Sequence, residues 1–352
     1  MVLATTYSGV QGRERLLREH YEGATLHVSF PHKREFAHPV QNRYNYYQNV
    51  DDLRAGILGQ SKMPDGVYAS THRYLDPHNP VIIPDRINCD LVFDLDSDDE
   101  FDDKRSHIEH MARMTVRLVN EFLIDLGFSL DDMLFEYSGN KGFHIVIDNP
   151  DYQSFTKTQR RNLLKYIQGA NLDRNLILPN NKPSLYGWGR QLPYMLSDML
   201  EGYGHLMFTK NKQKLVTDVL NDSDKVRIIS NGSLVPLYEV GIKPNDLIKA
   251  VMARHKSLDK VLDPKPTVDL RRIFRVPGSI HGKSGLASVR LDWEQMQHVD
   301  LVIDEIMRVG GEDEVMVVLD ETTTINFPFK VEFCAGEHEV PRWLALCLLS
   351  KI

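Results

Sequence analysis

The chain has only three cysteines, Cys89, Cys334 and Cys347, odd in number and widely spaced, with no Cys-x-x-Cys pair. That excludes a disulfide framework and a four-thiolate zinc site, and leaves three thiols expected to be buried. Also missing is any apolar run near the ~18–20 residues that a membrane span requires. The N-terminal stretch MVLATTYSGVQGRERLLREH turns charged before a signal-type apolar core can form. No membrane partner is expected, and the location follows as cytoplasmic, or nuclear in a cell that has a nucleus. Internal repeats and low-complexity tracts are absent too. What is present, 352 residues at 42% hydrophobic and 26% charged, suits a globular chain of one large or two modest domains.

The net charge of −7 argues against a nucleic-acid partner only until its distribution is considered. Residues 90–103 hold eight acidic side chains and no basic one, and residues 300–339 hold eleven against Arg308 and Lys330. Setting those stretches aside leaves the remainder at +10. The acidity is concentrated, and the rest of the chain is basic.

Alternating strand-like and helical segments from Gly12 to Asp148 predict a mixed α/β fold. LVFDLD reads as a buried strand, residues 104–126 as a helix with a stripe from Ile108 to Leu126, and MLFEYS and FHIVID as two strands joined by the turn GNKG. The chain divides into residues 1–150, a mainly helical insertion over 151–255, and residues 256–352. Within the insertion, TKTQRRNLLKYIQG and PNDLIKAVMARHKSLDKVL read as helices, and LPNNKPSLYGWGR and NDSDKVRIISNGS as loops. Beyond it DLRRIFRV reads as a short helix, SIHGKSG as a loop, LASVRLD as a strand and PRWLALCLLSKI as a helix.

Three constellations carry chemistry. Asp94 and Asp96, at i and i+2 of a strand, leave one face and converge. Two converging anions repel unless a cation or proton intervenes, and a divalent metal with hard oxygen ligands resolves the conflict; the plain alternative is a solvated acidic loop. Ser138-Gly139-Asn140-Lys141-Gly142-Phe143-His144 joins flexible backbone to a hydroxyl, an ammonium and an imidazole, all donors to phosphate, although a hairpin turn with an incidental lysine reads the same way. Arg272 and Arg275, one helical turn apart, precede His281-Gly282-Lys283 in a region, 243–290, that is net +7. There the alternative is a solvated basic helix. Together the three supply metal carboxylates and two phosphate-binding loops, the inventory of nucleotidyl transfer.

These residues resemble the small catalytic subunit of the archaeal and eukaryotic type of DNA primase, over about residues 10–148 and 258–295. Arg34-Glu35-Phe36-Ala37, Arg43-Tyr44 with Asn49-Val50-Asp51-Asp52-Leu53, the strand Leu91–Asp96, the Ser138–His144 motif and Arg275–Gly285 follow the family's order. The resemblance implies an α/β primase core with an RRM-like half, a helical insertion at its side, and a third metal carboxylate. Asp263, eighteen residues before His281, is favoured for that role over Asp269, twelve before it, which instead suits the cap of a following helix. It implies two Mg²⁺ or Mn²⁺ ions on Asp94, Asp96 and Asp263. Ser138, Lys141, His144, His281 and Lys283 would hold a nucleoside triphosphate, with charge from Arg272 and Arg275 and support from Glu35 and Arg43. Primer synthesis on a single-stranded DNA template, in company with a large primase subunit, is the implied activity. One departure is the family's small Cys/His zinc knuckle: no cysteine lies between Cys89 and Cys334. No structural zinc is expected, and His107 and His110 read as surface residues. A metal-dependent phosphodiester hydrolase and a non-catalytic nucleic-acid-binding subunit are the alternatives.

Overall fold

Three stretches rich in buried apolar side chains, Leu91–Leu95, Met133–Tyr137 and Phe143–Ile147, become neighbouring antiparallel strands. The computed structural model describes residues 5–39, 41–77, 86–170, 172–183, 187–201 and 207–351. Within it these strands form the middle of a five-stranded sheet in the order Val289–Leu291, Met133–Tyr137, Phe143–Ile147, Leu91–Leu95, Leu262–Asp263. Leu91, Phe93, Leu95, Phe135, Tyr137, Phe143, Ile145 and Ile147 are all buried, and β-branched and aromatic residues of this kind favour a pleated, covered surface. A smaller antiparallel sheet joins Ile273–Arg275, Tyr68–Ser70 and Phe36–Ala37. A third sets Thr6–Ser8 parallel to Glu314–Leu319, which pairs antiparallel with Gly336–Pro341.

The chain divides into two compact units. The first takes residues 1–116, 130–160 and 263–352 and holds these sheets apart from Leu262; the second takes residues 117–129 and 161–262. In the second the described elements are helical, including Gln191–Leu200, Lys210–Leu220 and Pro244–Val261. Its interior stacks Trp188 edge-on to His255 and Phe122. It also holds a buried charge cluster in which Arg254 binds Glu121 at 2.6 Å and Asp198 at 2.7 Å, and Arg117 binds Glu121 at 3.0 Å. Burial pushes the Glu121 carboxyl up, but the two guanidiniums outweigh it and hold the group below its usual range. Among the described residues no helix is long and apolar enough to cross a membrane.

Several expectations match the structure locally. The helix Lys104–Leu118, continued by a π-turn over Val119–Leu123, buries Ile108, Met111, Ala112, Leu118, Val119 and Phe122. Helices also occupy Lys157–Ile167, Pro244–Val261 and Arg342–Leu349. Four others are corrected. The segment around Ile273–Arg275 is a strand, so Arg272 and Arg275 do not share a helical face. Residues Ser223–Ser230, read as loop, form a helix whose N-terminus is capped by Asp222, which accepts from the N–H groups of Asp224 and Lys225. Cys334 is exposed, while Cys89 and Cys347 are buried. His107 is buried, stacked on Phe101 at 4.8 Å between centroids. Of the loop read over 178–190, residues 184–186 lie outside the described set.

Not every member of the first acidic run faces water. Asp90 is buried and binds Arg34 at 2.7 Å and Arg73 at 3.1 Å, while Arg73 also reaches Asp148 at 2.7 Å. This carboxylate ties the N-terminal REFA segment to the central sheet.

A buried histidine makes the first unit sensitive to acid. His20 places Nε2 2.8 Å from the carbonyl of Gly278, and burial pulls its pKa from 6.5 down to about 4. A depressed imidazole stabilises the fold fully above pH 6.5 and loses that contribution as pH falls toward 4, because the unfolded chain takes the proton first. Urea unfolding at pH 5 is expected to give a stability about 2 kcal/mol lower than at pH 7.5 on this account. His20→Gln should shrink the difference between the two pH values by about that amount, the remainder coming from other depressed imidazoles such as His281, and an undiminished difference in the variant would assign it elsewhere.

Candidate active site

The strand register builds a row of alternating charge across the central sheet. Asp94 lies opposite His144, His144 opposite Glu136, and Glu136 opposite Arg290. His144 Nε2 stands 3.7 Å from Asp94 Oδ1 and Nδ1 stands 3.9 Å from Glu136 Oε2, too long for hydrogen bonds but close for charge. Arg290 closes the row on Glu136 at 3.0 Å, and Phe274 sets its ring edge-on to His144. Burial pushes the His144 pKa down, but Glu136 and Asp94 outweigh it, so the imidazole is raised above its ordinary value and favours its charged form.

Asp94 has the opposite imbalance. Burial, then Asp96 and Asp263, raise its carboxyl against the attraction of His144 and Arg272. Asp96 follows the strand end and is exposed, yet the atoms crowding its inner side raise it as well, opposed by the Ser97 N–H at 3.0 Å and by Lys141. Of the two aspartates considered for a third carboxylate, Asp263 is the one that acts on Asp94; it also accepts from the Lys265 N–H, capping Pro264–Val268. Asp269 is engaged locally, accepting from the Arg271 N–H and pairing with Arg272 at 3.4 Å, and no helix follows for it to cap. Among the described residues no three His, Cys, Asp or Glu groups already stand at metal-holding spacing. The donor set is nevertheless all hard oxygen, and Asp94 is raised by burial first and then by the carboxylates of Asp96 and Asp263, a repulsion that a bound cation would relieve. Both features fit Mg²⁺ or Mn²⁺.

The two loops beside these carboxylates interlock. In the turn between Tyr137 and Phe143 the Ser138 hydroxyl accepts from the N–H groups of Gly142 and Asn140. Gly139 has φ +84, and a Cβ there would lie 3.0 Å from His281 Cβ, so glycine is what lets the turn touch the second loop. Ser284 donates to the Gly139 carbonyl at 2.6 Å, locking the contact. Gly285, at φ +75, lies so close to the final helix that a Cβ would meet the Leu346 carbonyl at 2.4 Å. Within the second loop His281 Nδ1 accepts from the N–H groups of Lys283 and Ser284, which puts the proton of the neutral ring on Nε2. Burial and the cations Arg275, Lys104 and Lys283 pull this histidine down to about 3, so it presents an uncharged N–H donor.

The remaining candidates are placed unevenly. Lys141 is half-exposed at the turn and pairs with Asp98, and Lys283 is exposed in its loop. Arg272 is half-exposed and its charge reaches Asp94. Arg275 is buried and spends its guanidinium on the carbonyls of Ile280 and Asp65 and on the Tyr68 hydroxyl, so it braces the loop from within. Glu35 is buried and accepts from Arg43 Nε at 2.5 Å and from the Tyr74 hydroxyl; Arg43 also donates to the Arg271 carbonyl. Among the described residues no direct contact carries Glu35 or Arg43 to the carboxylates.

Sequence reasoning missed Glu136, Arg290 and Lys104. For Glu136 a signal existed: a carboxylate inside the apolar run MLFEY, at a buried strand position, demands a cation across the sheet. Lys104 carried no local signal, because its neighbourhood is assembled from distant segments.

Residues 93–293 match the model of the family described as DNA primase small subunit. Similar curated proteins carry the name DNA primase small subunit PriS. That of Methanococcoides burtonii is 24% identical, with 95% of each chain covered. That of Thermoplasma volcanium is 26% identical over 83% of this chain and 80% of its own, and that of Methanosphaerula palustris 27% over 83% and 81%.

Proposed function

The chain belongs to the DNA primase small subunit family, and from that premise we propose that it is the catalytic subunit of a primase. It joins a nucleotide 3′-hydroxyl to the α-phosphate of an incoming nucleoside triphosphate, directed by a single-stranded DNA template, and makes short RNA or DNA primers. The observation that carries the proposal is the interlock of the Ser138–Gly142 turn with the His281–Gly285 loop beside the Asp94 end of its strand.

Asp94, Asp96 and Asp263 would hold two Mg²⁺ or Mn²⁺ ions, which supply a more acidic attacking hydroxyl and neutralise charge on the leaving pyrophosphate. The chain's own groups hold the polyphosphate. Lys141 and Lys283 bring ammonium charge, His281 donates from Nε2, Ser138 offers its hydroxyl, and the protonated His144 adds a cation beside Asp94. Arg275 keeps the second loop in shape, and Glu35 with Arg43 orders the segment leading to Arg272. A large primase subunit is the partner, with the acidic C-terminal stretch as its docking surface.

The test is metal-dependent primer synthesis on a single-stranded template, run beside nucleotide binding. Lys141→Ala and Lys283→Ala are each expected to weaken nucleoside triphosphate affinity about tenfold, the worth of one charge-assisted hydrogen bond. A phosphodiester hydrolase has no use for triphosphate, and affinity unaltered by both changes would favour that chemistry. Salt-sensitive binding to single strands, with nucleotide affinity indifferent to metal, would mark a non-catalytic subunit.

A further inference from the structure

The helix Lys104–Leu118 opens with a lysine in an unfavourable position. A cation at a helix N-terminus opposes the macrodipole, so Lys104 is not there to stabilise its helix. Its backbone is fixed by a hydrogen bond from its N–H to the Asn326 carbonyl at 2.9 Å. Its ammonium reaches back to the Ser138–Gly142 turn, where Nζ donates to Asn140 Oδ1 at 3.2 Å. Among the described residues Lys104 has no ion pair; a neutral amide is its hydrogen-bond partner.

Its surroundings add more positive charge. Lys141 follows Asn140 in the turn, and Lys351 stands just beyond the helix Arg342–Leu349. Burial, then Lys141 and Lys351, pull the Lys104 pKa from 10.5 to about 8 against the attraction of Asp96, and the same ammonium helps depress His281. Lys141 is offset by the exposed Asp98. Crowding ammoniums around one turn, one of them largely desolvated and unpaired, raises the energy of the free protein. An incoming polyanion reverses that sign.

We propose that Lys104 is a phosphate ligand, binding the polyphosphate tail of the nucleoside triphosphate and exchanging the Asn140 amide for a phosphate oxygen. This rests on the primase reading for the identity of the nucleotide and goes beyond it in the residue. Lys104 thereby adds a third ammonium, on a third chain segment, to Lys141 and Lys283 around the neutral His281 donor. The same chemistry would suit a phosphate of the template strand, so the test separates the two sources.

The full chain, with Lys104→Met and Lys104→Arg variants, is titrated with inorganic tripolyphosphate and with a single-stranded oligonucleotide, and the KM for nucleoside triphosphate is measured in primer synthesis. Lys104→Met should weaken tripolyphosphate about tenfold and raise KM by a similar factor, with the loss falling on KM more than on kcat. Oligonucleotide affinity should hold, and Lys104→Arg should recover most of the loss. Unchanged tripolyphosphate affinity in Lys104→Met overturns the proposal, as does a loss confined to the oligonucleotide. An Arg variant as impaired as the Met variant, with a lowered Tm in both, also overturns it by assigning Lys104 a packing role. The primase reading fails separately, if the wild-type chain binds tripolyphosphate through Lys104 yet makes no primer.

Discussion

Asp94→Asn is expected to abolish primer synthesis while leaving the fold as stable as the wild type or more so. Most substitutions of buried polar groups lose both properties together, so the combination is diagnostic. The Asp94 carboxyl is raised by burial and by Asp96 and Asp263, which means that its charged form is disfavoured in the fold. Such a group weakens the metal-free protein at neutral pH and ceases to do so as pH falls through its raised value. The neutral amide removes the cost and keeps the shape. Loss of one metal carboxylate withdraws several kcal/mol of transition-state stabilisation, about a thousandfold or more in rate. Mn²⁺ should raise the Tm of the wild type by mass action and raise that of the variant much less. Synthesis within tenfold of wild type, or a Tm clearly lowered in chelator, would sink the assignment of Asp94 as a metal ligand under strain.

The parts of this site that were legible in the sequence are those encoded by short-range patterns. The Asp94 strand and the hairpin around Ser138–Gly142 each carry their own turn residues and periodicity, and they fold where the pattern places them. Ile273–Arg275 carries no such local decision. Its β-branched and aromatic residues are compatible with either structure, and its partner, Tyr68–Ser70, is some two hundred residues away. The helix Ser223–Ser230 was hidden by the polar residues at its ends, which resemble a loop until Asp222 is seen capping free N–H groups. Cys334 and His107 show the limit of residue-type reasoning: one stands exposed near the end of Val331–Phe333, and the other is covered by Phe101. The acidic run 90–103 reads as uniform, yet Asp90 is interior, Asp94 sits in the site, and Asp98 is at the surface pairing with Lys141.

Glu136 is the residue whose change should alter stability and titration together. It is buried between the His144 imidazole and the Arg290 guanidinium, which overcome burial and hold its carboxyl below the usual range. Its contribution is therefore present above its ordinary pKa of 4.5 and is lost as pH falls through the depressed value. The raised His144 contributes fully below its ordinary 6.5 and loses that contribution as pH rises through the raised value. Between those ordinary values, near pH 5.5, both halves of the couple are in place. Glu136→Gln leaves Arg290 facing a neutral amide inside the sheet, and should cost about 3 kcal/mol in urea unfolding at pH 6. In the metal-free protein the His144 pKa, followed by NMR, should fall, because Glu136, the strongest support for its charge against burial, is gone. Nucleotide KM should then rise in the variant, since His144 holds its proton less firmly once Glu136 is gone. Adding Arg290→Met should restore part of the stability without restoring the His144 titration, which separates packing from charge. If His144 titrates in Glu136→Gln as it does in the wild type, the four strands do not carry a coupled row, and the cation beside Asp94 has another origin.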